Sequence, residues 1–334
     1  MRITSEKSWW ANFMSRNVWI VLCIVAFVSA AYMVNDSHIM HNIIVSPDPF
    51  SAVVAYLTVG GMAGLLLNWV FCQTPLGKVI DPSFTGITLM NRKAQLSAFL
   101  SGAIGALSTL FLLWGSQIFD PSLVLPLGNI AIFFVFLYEV SGSKVNFRQA
   151  IVPVVLVVLG AMLFTYNPVA GTFISWTGFL VLVLLKNGVT AIGEILEQTG
   201  VLSGDATSFG FWRFFWLTIT GTILAVTVSL IRGQFATYLT ALGAAVHGLP
   251  WIALTMFLVF FGVGLKNAAK KYTNVSNVMM FMTIPIVLGL PLTLLVNIFW
   301  PGTFVGVTFD VLTIVLRLAG ALLILFGLIK ARKD

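Results

Sequence analysis

Lys186, Thr190, Glu194 and Glu197 stand in the stretch VLLKNGVTAIGEILEQ, residues 183–198, at the end of a long apolar run. At about 100° per residue they fall within roughly 80° of one another on a helix. One side of an otherwise apolar helix therefore carries an ammonium, a hydroxyl and two carboxylates. Such groups hold a counter-charge, exchange protons or hydrogen-bond a solute. In lipid a central charge costs about 2.5–3.5 kcal/mol on insertion scales, so each is a functional candidate by default. Lys186 lies about 21 Å into its run, counted from residue 172 at ~1.5 Å per residue. That is just past the midplane of a roughly 30 Å hydrocarbon core. It reads as a cationic contact for an anionic group, or as a partner for Glu194 or Glu197; the plainer alternative is a lysine snorkelling to the headgroups. Glu194 and Glu197 lie closer to the interface, where solvation alone accounts for them. At i, i+3 they also repel, which favours protonating one of them and makes the pair a candidate for proton coupling.

Other polar residues interrupt apolar runs. Arg317 sits near the centre of the last run, where snorkelling is difficult; it reads as an interior ion pair, a contact in a homodimer or a solute ligand. Arg213, in FWRFFW, reads as an interfacial anchor, a partner for Glu194 or Glu197, or a cavity residue. Lys266 and Asn267 end another run, with Lys266 able to face a cavity, while Lys270 and Lys271 obey the positive-inside rule. Asn68, Asn129 and Asn187 are uncharged polar groups whose simplest role is interhelical hydrogen bonding; Asn129 and Asn187 are also candidate solute ligands. Most tryptophans fall in the interfacial belt, but Trp69 and Trp114 are deep enough to line a pocket. His38 and His41 are i, i+3 beside Asp36, yet no third strong ligand follows, so no metal site is expected. Asn35-Asp36-Ser37 matches a glycosylation sequon. No HExxH, P-loop or GxSxG pattern occurs, so neither an enzyme nor a bound cofactor is expected.

The elements that must position these residues follow from composition. Hydrophobic residues make up 59% of the 334 and charged residues only 9%, with a mean hydropathy of +1.01. A soluble domain carries about 25% charged residues. This is the composition of an all-α polytopic protein of the lipid bilayer, in a plasma membrane or bacterial inner membrane. The net charge of +7 resides in short loops and at the ends, where topology explains it, and nucleic-acid binding is excluded. Cys23 and Cys72 lie in apolar segments as packing residues.

Spans of about 20 apolar residues are expected at 18–35, 51–72, 95–118, 121–141, 149–166, 172–195, 208–231, 250–271, 276–299 and 306–329. Basic residues alternate between loops: Arg2, Lys7 and Arg16 before the first span, Lys78, Arg92 and Lys93 after the second, Lys144 and Arg148 after the fourth, Lys270 and Lys271 after the eighth, and KARKD at the end. Loops after the first, third, fifth and ninth hold none, and that after the seventh holds only Arg232. Ten spans with both termini cytoplasmic satisfy this pattern. The loop after the sixth is the exception: it lacks a basic residue and carries Asp205.

Ten spans divide into five and five, and an odd half must re-enter from the opposite side. That is an inverted-topology repeat, with residues 18–166 as the first half, 172–329 as the second, and tails at 1–17 and 330–334. WGSQIFDPS (114–122) and NAAKKYTNVS (267–276) close and open corresponding spans, and VVLGAML (157–163) matches LRLAGALL (316–323) around Gly160 and Gly320. GGMAG (60–64) and SGAIGALS (101–108) suit close helix packing.

With this layout the chain resembles the drug/metabolite transporter superfamily in its EamA-like ten-helix form. The fourth span of each half contains Pro (Pro126; Pro285 and Pro291), YEVSGSKVNFRQ holds Glu139 before a basic loop, and FWRFFW holds Arg213 early in the seventh span. The chain departs from the pattern in lacking an early Arg in the second span and a terminal Glu in the ninth, and in its long segment at 73–93. The resemblance implies a central cavity lined by spans one to four and six to nine, with the fifth and tenth at the periphery. It implies alternating access to a small-molecule solute. Lys186, together with Lys266, Arg213 or Arg317, favours a carboxylate- or phosphate-bearing metabolite or amino acid. The alternatives are a proton-coupled exporter of cationic or lipophilic compounds with an aromatic cage, or a non-transporting scaffold or lipid-handling protein.

Overall fold

A computed structural model describes residues 9–119, 121–141, 147–166, 176–273, 275–301, 303–304 and 310–332. The terminal residues 1–8 and 333–334, the basic loop at 142–146 and the expected turn and span start at 167–175 and 305–309 lie outside the described residues. Among the described residues every regular element is a helix. Eight are long and apolar enough to cross a membrane: Val18–Ile43, Pro49–Cys72, Arg92–Ile118, Pro121–Tyr138, Trp176–Val201, Ala206–Ile231, Leu249–Ala269 and Val275–Phe299. Two more, α8 (Phe147–Thr165) and α16 (Val311–Arg332), carry shorter apolar stretches. Large apolar side chains such as Phe27, Leu66, Ile223 and Leu230 are exposed along these helices. On a soluble protein they would form sticky patches; here they face where lipid belongs.

A short α1 (Trp9–Arg16) precedes α2 (Val18–His38), which continues as a π-helical turn, Ile39–Ile43. The first span thus runs past its expected end at residue 35 and takes Asp36, His38 and His41 with it. Asp48 caps α3 (Pro49–Cys72) by accepting from the Ser51 N–H at 3.1 Å, with Pro49 at a position whose N–H would be unpaired anyway. The long 73–93 segment holds α4 (Leu76–Ile80), and Asn91 caps α5 (Arg92–Ile118). The fourth span breaks into α6 (Pro121–Gly128) and α7 (Ala131–Ser141), just after Pro126.

The sixth span is a turn, α9 (Trp176–Gly178), a π-helical segment, Phe179–Lys186, and α10 (Asn187–Val201). Asp205, the acidic residue in a loop expected to be basic, has a local role. It caps α11 (Ala206–Ile231), accepting from the Ser208 N–H at 2.6 Å. The loop after this helix contains an element not expected from the sequence, α12 (Phe235–His247). Then come α13 (Leu249–Ala269) and a second broken span, α14 (Val275–Phe281) and α15 (Ile284–Phe299), parted just before Pro285.

Small residues set how closely the helices approach. Helix α16 packs on α8, where a Cβ at Gly160 would meet the Gly320 carbonyl at 2.7 Å and one at Gly320 would meet the Gly160 carbonyl at 2.6 Å. A Cβ at Gly102 would meet the Arg213 carbonyl at 2.5 Å, which sets α5 against α11. The small-residue stretches read from the sequence are therefore packing contacts. Helix α10 lies on α5 and α7, α13 on α2 and α3, α11 on α3 and α5, and α15 on α6 and α2.

Candidate functional site: a polar cavity between two buried charge centres

The site begins where the fourth span breaks. A helix that ends inside a bundle leaves its last carbonyls without partners, and buried carbonyls must find donors. Here the sixth span supplies them. Lys186 Nζ donates to the Gly128 carbonyl. Asn187 Nδ2 donates to the Leu127 carbonyl at 2.6 Å and to the Leu182 carbonyl of its own π segment at 2.6 Å. Lys186 and Asn187 are buried, so Lys186 does not snorkel, and it forms no ion pair with Glu194 or Glu197. The ammonium sits at the negative end of a half-helix, a position the helix dipole favours. Asn129, in the break itself, donates to the Leu125 carbonyl at 2.6 Å.

One to three turns further along α10 lie Thr190, Glu194 and Glu197. Thr190 shares a 2.7 Å hydrogen bond with Ser108 of α5. Solvation does not account for the two glutamates: both are buried. Lys266 donates to Glu194, and Lys270 donates to Glu197 while lying 2.8 Å from Glu194 Oε2. Arg213 Nε lies 2.6 Å from Glu197 Oε1, a charge contact whose N–H is not aligned for a hydrogen bond. Lys270 is 1% exposed, so it belongs to this cluster and is no solvated topology signal. Its ammonium also donates to Asn267 Oδ1 at 3.2 Å, while Asn267 Nδ2 is buried with no partner among the described residues. Three cations thus surround two carboxylates, and opposite charges are what make such burial tolerable.

At the other end of α13 the sequence reading missed a second centre. Asp36 of α2 is 5% exposed. It accepts from the Tyr56 hydroxyl of α3 and from Thr255 Oγ1 of α13 at 2.9 Å. Asn35 donates to Thr255 Oγ1 at 2.8 Å and to the Trp251 carbonyl at 2.9 Å, so the sequon asparagine is engaged inside the bundle. The available signal was the apolar run itself. VNDSHIMHNIIV remains helix-compatible beyond residue 35, and an aspartate within a span is a functional candidate. Thr255 and Lys266 are eleven residues apart on α13, about 16 Å at 1.5 Å per residue.

A cavity of about 170 Å³ joins the two centres. Asp36 and Tyr56 line one end of it, and Lys186, Glu194, Arg213 and Lys266 the other, with Asn129 and Thr190 on the wall. Asn187, Glu197, Asn267, Arg317, Trp69 and Trp114 do not line it, whereas Gly60, Gly61, Gly105 and Ser108 of the small-residue stretches do. Trp69 is half exposed on the outer surface of α3, and Trp114 packs edge-on against Phe50. Arg317 donates to Ser122 at the start of α6 and so braces the tenth helix against the fourth span. His41 contacts the Phe119 carbonyl at 3.2 Å and His38 packs against Trp251; among the described residues no group of three metal-ligating side chains forms.

A cavity lined by buried charged groups among long apolar helices defines a multi-pass integral membrane protein with polar groups in its interior. No protein-family model matches the chain, and no curated protein matches it.

Proposed function

We propose that the chain is a secondary transporter, built as ten membrane helices in two inverted repeats of five, that moves a small organic solute by alternating access. The observation that carries the reading is the cavity beside the break of the fourth span, which Lys186, Arg213 and Lys266 all line. Discontinuous helices at a midplane site are a recurrent transporter device. The pattern of helix packing supports the repeat. Exchanging the first five spans for the last five turns the α2–α13 contact into the α5–α10 contact, and the α11–α5 contact into the α3–α13 contact. The α15–α6 contact becomes the α14–α7 contact, and the α16–α8 contact exchanges with itself. Each half also has a short helix between its second and third spans, α4 and α12, and a π-helical stretch in its first. These features, with Pro126 and Pro285 at the two breaks, support kinship with the EamA-like drug/metabolite transporters.

The solute class follows from charge. Lys186, Arg213, Lys266 and Lys270 exceed Glu194 and Glu197 by two positive charges, which favours a carboxylate- or phosphate-bearing metabolite or an amino acid. At the opposite end, Asp36 beside the rings of Tyr32 and Tyr56 favours a second reading, proton-coupled export of cationic or lipophilic compounds. The cavity reaching Lys186 weighs against a non-transporting scaffold or lipid-handling protein, which a dry centre would have favoured.

The test is a thermal-shift screen of the purified chain against amino acids, organic acids, sugar phosphates and lipophilic cations. A ligand of the folded state raises apparent stability by mass action. Shifts with anionic solutes that vanish in Lys186→Gln support the first reading. Shifts confined to cations and indifferent to that substitution move the assignment to the second, and no shift with any class removes the support for both.

A further inference from the structure

Among the described residues, Asp36 is the carboxylate inside the bundle that no cation balances: no Lys, Arg or His side chain lies within ion-pair distance of it. Its two hydrogen bonds, from Tyr56 and Thr255, both end on Oδ1. Oδ2 accepts from no described group, yet it is not among the fully enclosed polar atoms that lack a partner. It is the oxygen left open, on a residue that lines the cavity. Glu194 and Glu197, the pair that the sequence offers for proton coupling, are in the opposite condition. Lys266, Lys270 and Arg213 hold both carboxylates, and protonating either would strand a buried cation.

The geometry points to Asp36 as the proton-binding site of this cavity: Oδ2 takes a proton from cavity water, while Tyr56 and Thr255 keep their bonds to Oδ1. The carboxylate then becomes a neutral acid, and an uncompensated charge is removed from the interior, where it is costly. Loading and unloading this proton as the cavity opens to one side and then the other would couple the solute's movement to a proton gradient; that extension rests on the transporter reading above. The titratable or charged groups around Asp36 are few. Tyr32 and His38 lie on its own helix and Tyr56 on α3, while Lys186, Glu194, Arg213 and Lys266 line the same cavity further off. Helices α5, α6 and α15 present none to it.

The site can be tested without knowing the solute, with the proton as the probe. Infrared spectra of the full chain in lipid, recorded across a pH titration, should show carbonyl stretches of protonated carboxyls growing as pH falls, and Asp36→Asn should remove one band from the set while those of the other ten Asp and Glu side chains remain. A set of bands unchanged in Asp36→Asn overturns the proposal. Should Asp36→Asn fail to fold, Tyr56→Phe and Thr255→Val decide. Each removes a donor that stabilises the ionised form, and should move the midpoint to higher pH by roughly one unit or more; an unmoved midpoint contradicts the assignment. For coupling, a ligand found by thermal shift is followed in proteoliposomes with and without a pH gradient. A gradient response in the wild type whose pH midpoint moves with that of the infrared band in Thr255→Val supports coupling, and a wild type indifferent to the gradient overturns it. If no solute is taken up while the band behaves as expected, the transporter reading fails and the proton site stands.

Discussion

The two ends of the cavity bury charge in opposite ways. At one end Glu194 and Glu197 are surrounded by Arg213, Lys266 and Lys270, so every carboxylate has a cation within 3 Å. At the other end Asp36 has only two hydroxyls, both on one oxygen. A compensated cluster resists change, because removing one member leaves its partners charged, buried and unmatched. An uncompensated carboxylate held by neutral donors can gain or lose a proton without breaking an ion pair. The first arrangement ties three helices, α10, α11 and α13, into one body; the second leaves a residue free to switch. Lys186, on the same side as the cluster, is a cation matched by a carbonyl at a helix break.

The largest effect expected from this contrast is in the cluster. Glu197→Ala leaves Arg213 and Lys270 short of an anion and should destabilise the protein by about 3–5 kcal/mol, read as a large fall in unfolding temperature in detergent. A wild-type melting curve would show that the cluster is solvated and the contrast false. Lys186→Met withdraws the donor from the Gly128 carbonyl, and a buried acceptor left unsatisfied costs about 1–3 kcal/mol. The same melting assay should show an intermediate loss.

Next comes a carboxylate outside the spans. Burial pushes the Asp81 carboxyl up, but hydrogen bonds from Lys271, Ser83 and the Ala206 N–H, with the Lys271 charge, outweigh it and hold Asp81 below its ordinary value. A lowered folded value means this stability is present above the ordinary carboxylate range and is lost as pH falls through the folded value. Asp81→Asn should therefore cost about 1 kcal/mol near neutral pH and flatten the decline in melting temperature on acidification. A variant with the wild-type acid profile refutes the linkage. Smallest is Asp36→Asn. Its amide oxygen still accepts from both hydroxyls, so the loss should stay within about 1 kcal/mol. A loss as large as that of Glu197→Ala would erase the difference between the two ends.

Much of this was legible in the sequence. The apolar runs marked most of the long helices to within a few residues, although the first runs eight residues and the sixth six past the expected end. The polar stripe of the sixth span marked one wall of the cavity. Gly160 and Gly320 matched in local sequence and meet in space. What escaped depended on tertiary proximity. Lys270 looks like a loop lysine until α13 is laid beside α10, and the glutamates look like interfacial residues until three cations close around them. Asp36 escaped because the polar residues that follow Val34 look like the end of the first span, which in fact runs on to Ile43. Helix α12 carries too few residues to signal a span, and in a loop bounded by Gly233 and Gly248 it read as connection. Trp69 shows the limit of depth as a guide, since a tryptophan deep in a span faces lipid as readily as a cavity.

The most direct measurement is uptake into proteoliposomes of the solute that stabilises the purified chain, for the wild type and Lys186→Gln side by side. The account predicts time-dependent accumulation by the wild type and its loss in Lys186→Gln. No accumulation by the wild type, or equal accumulation by the variant, would contradict it.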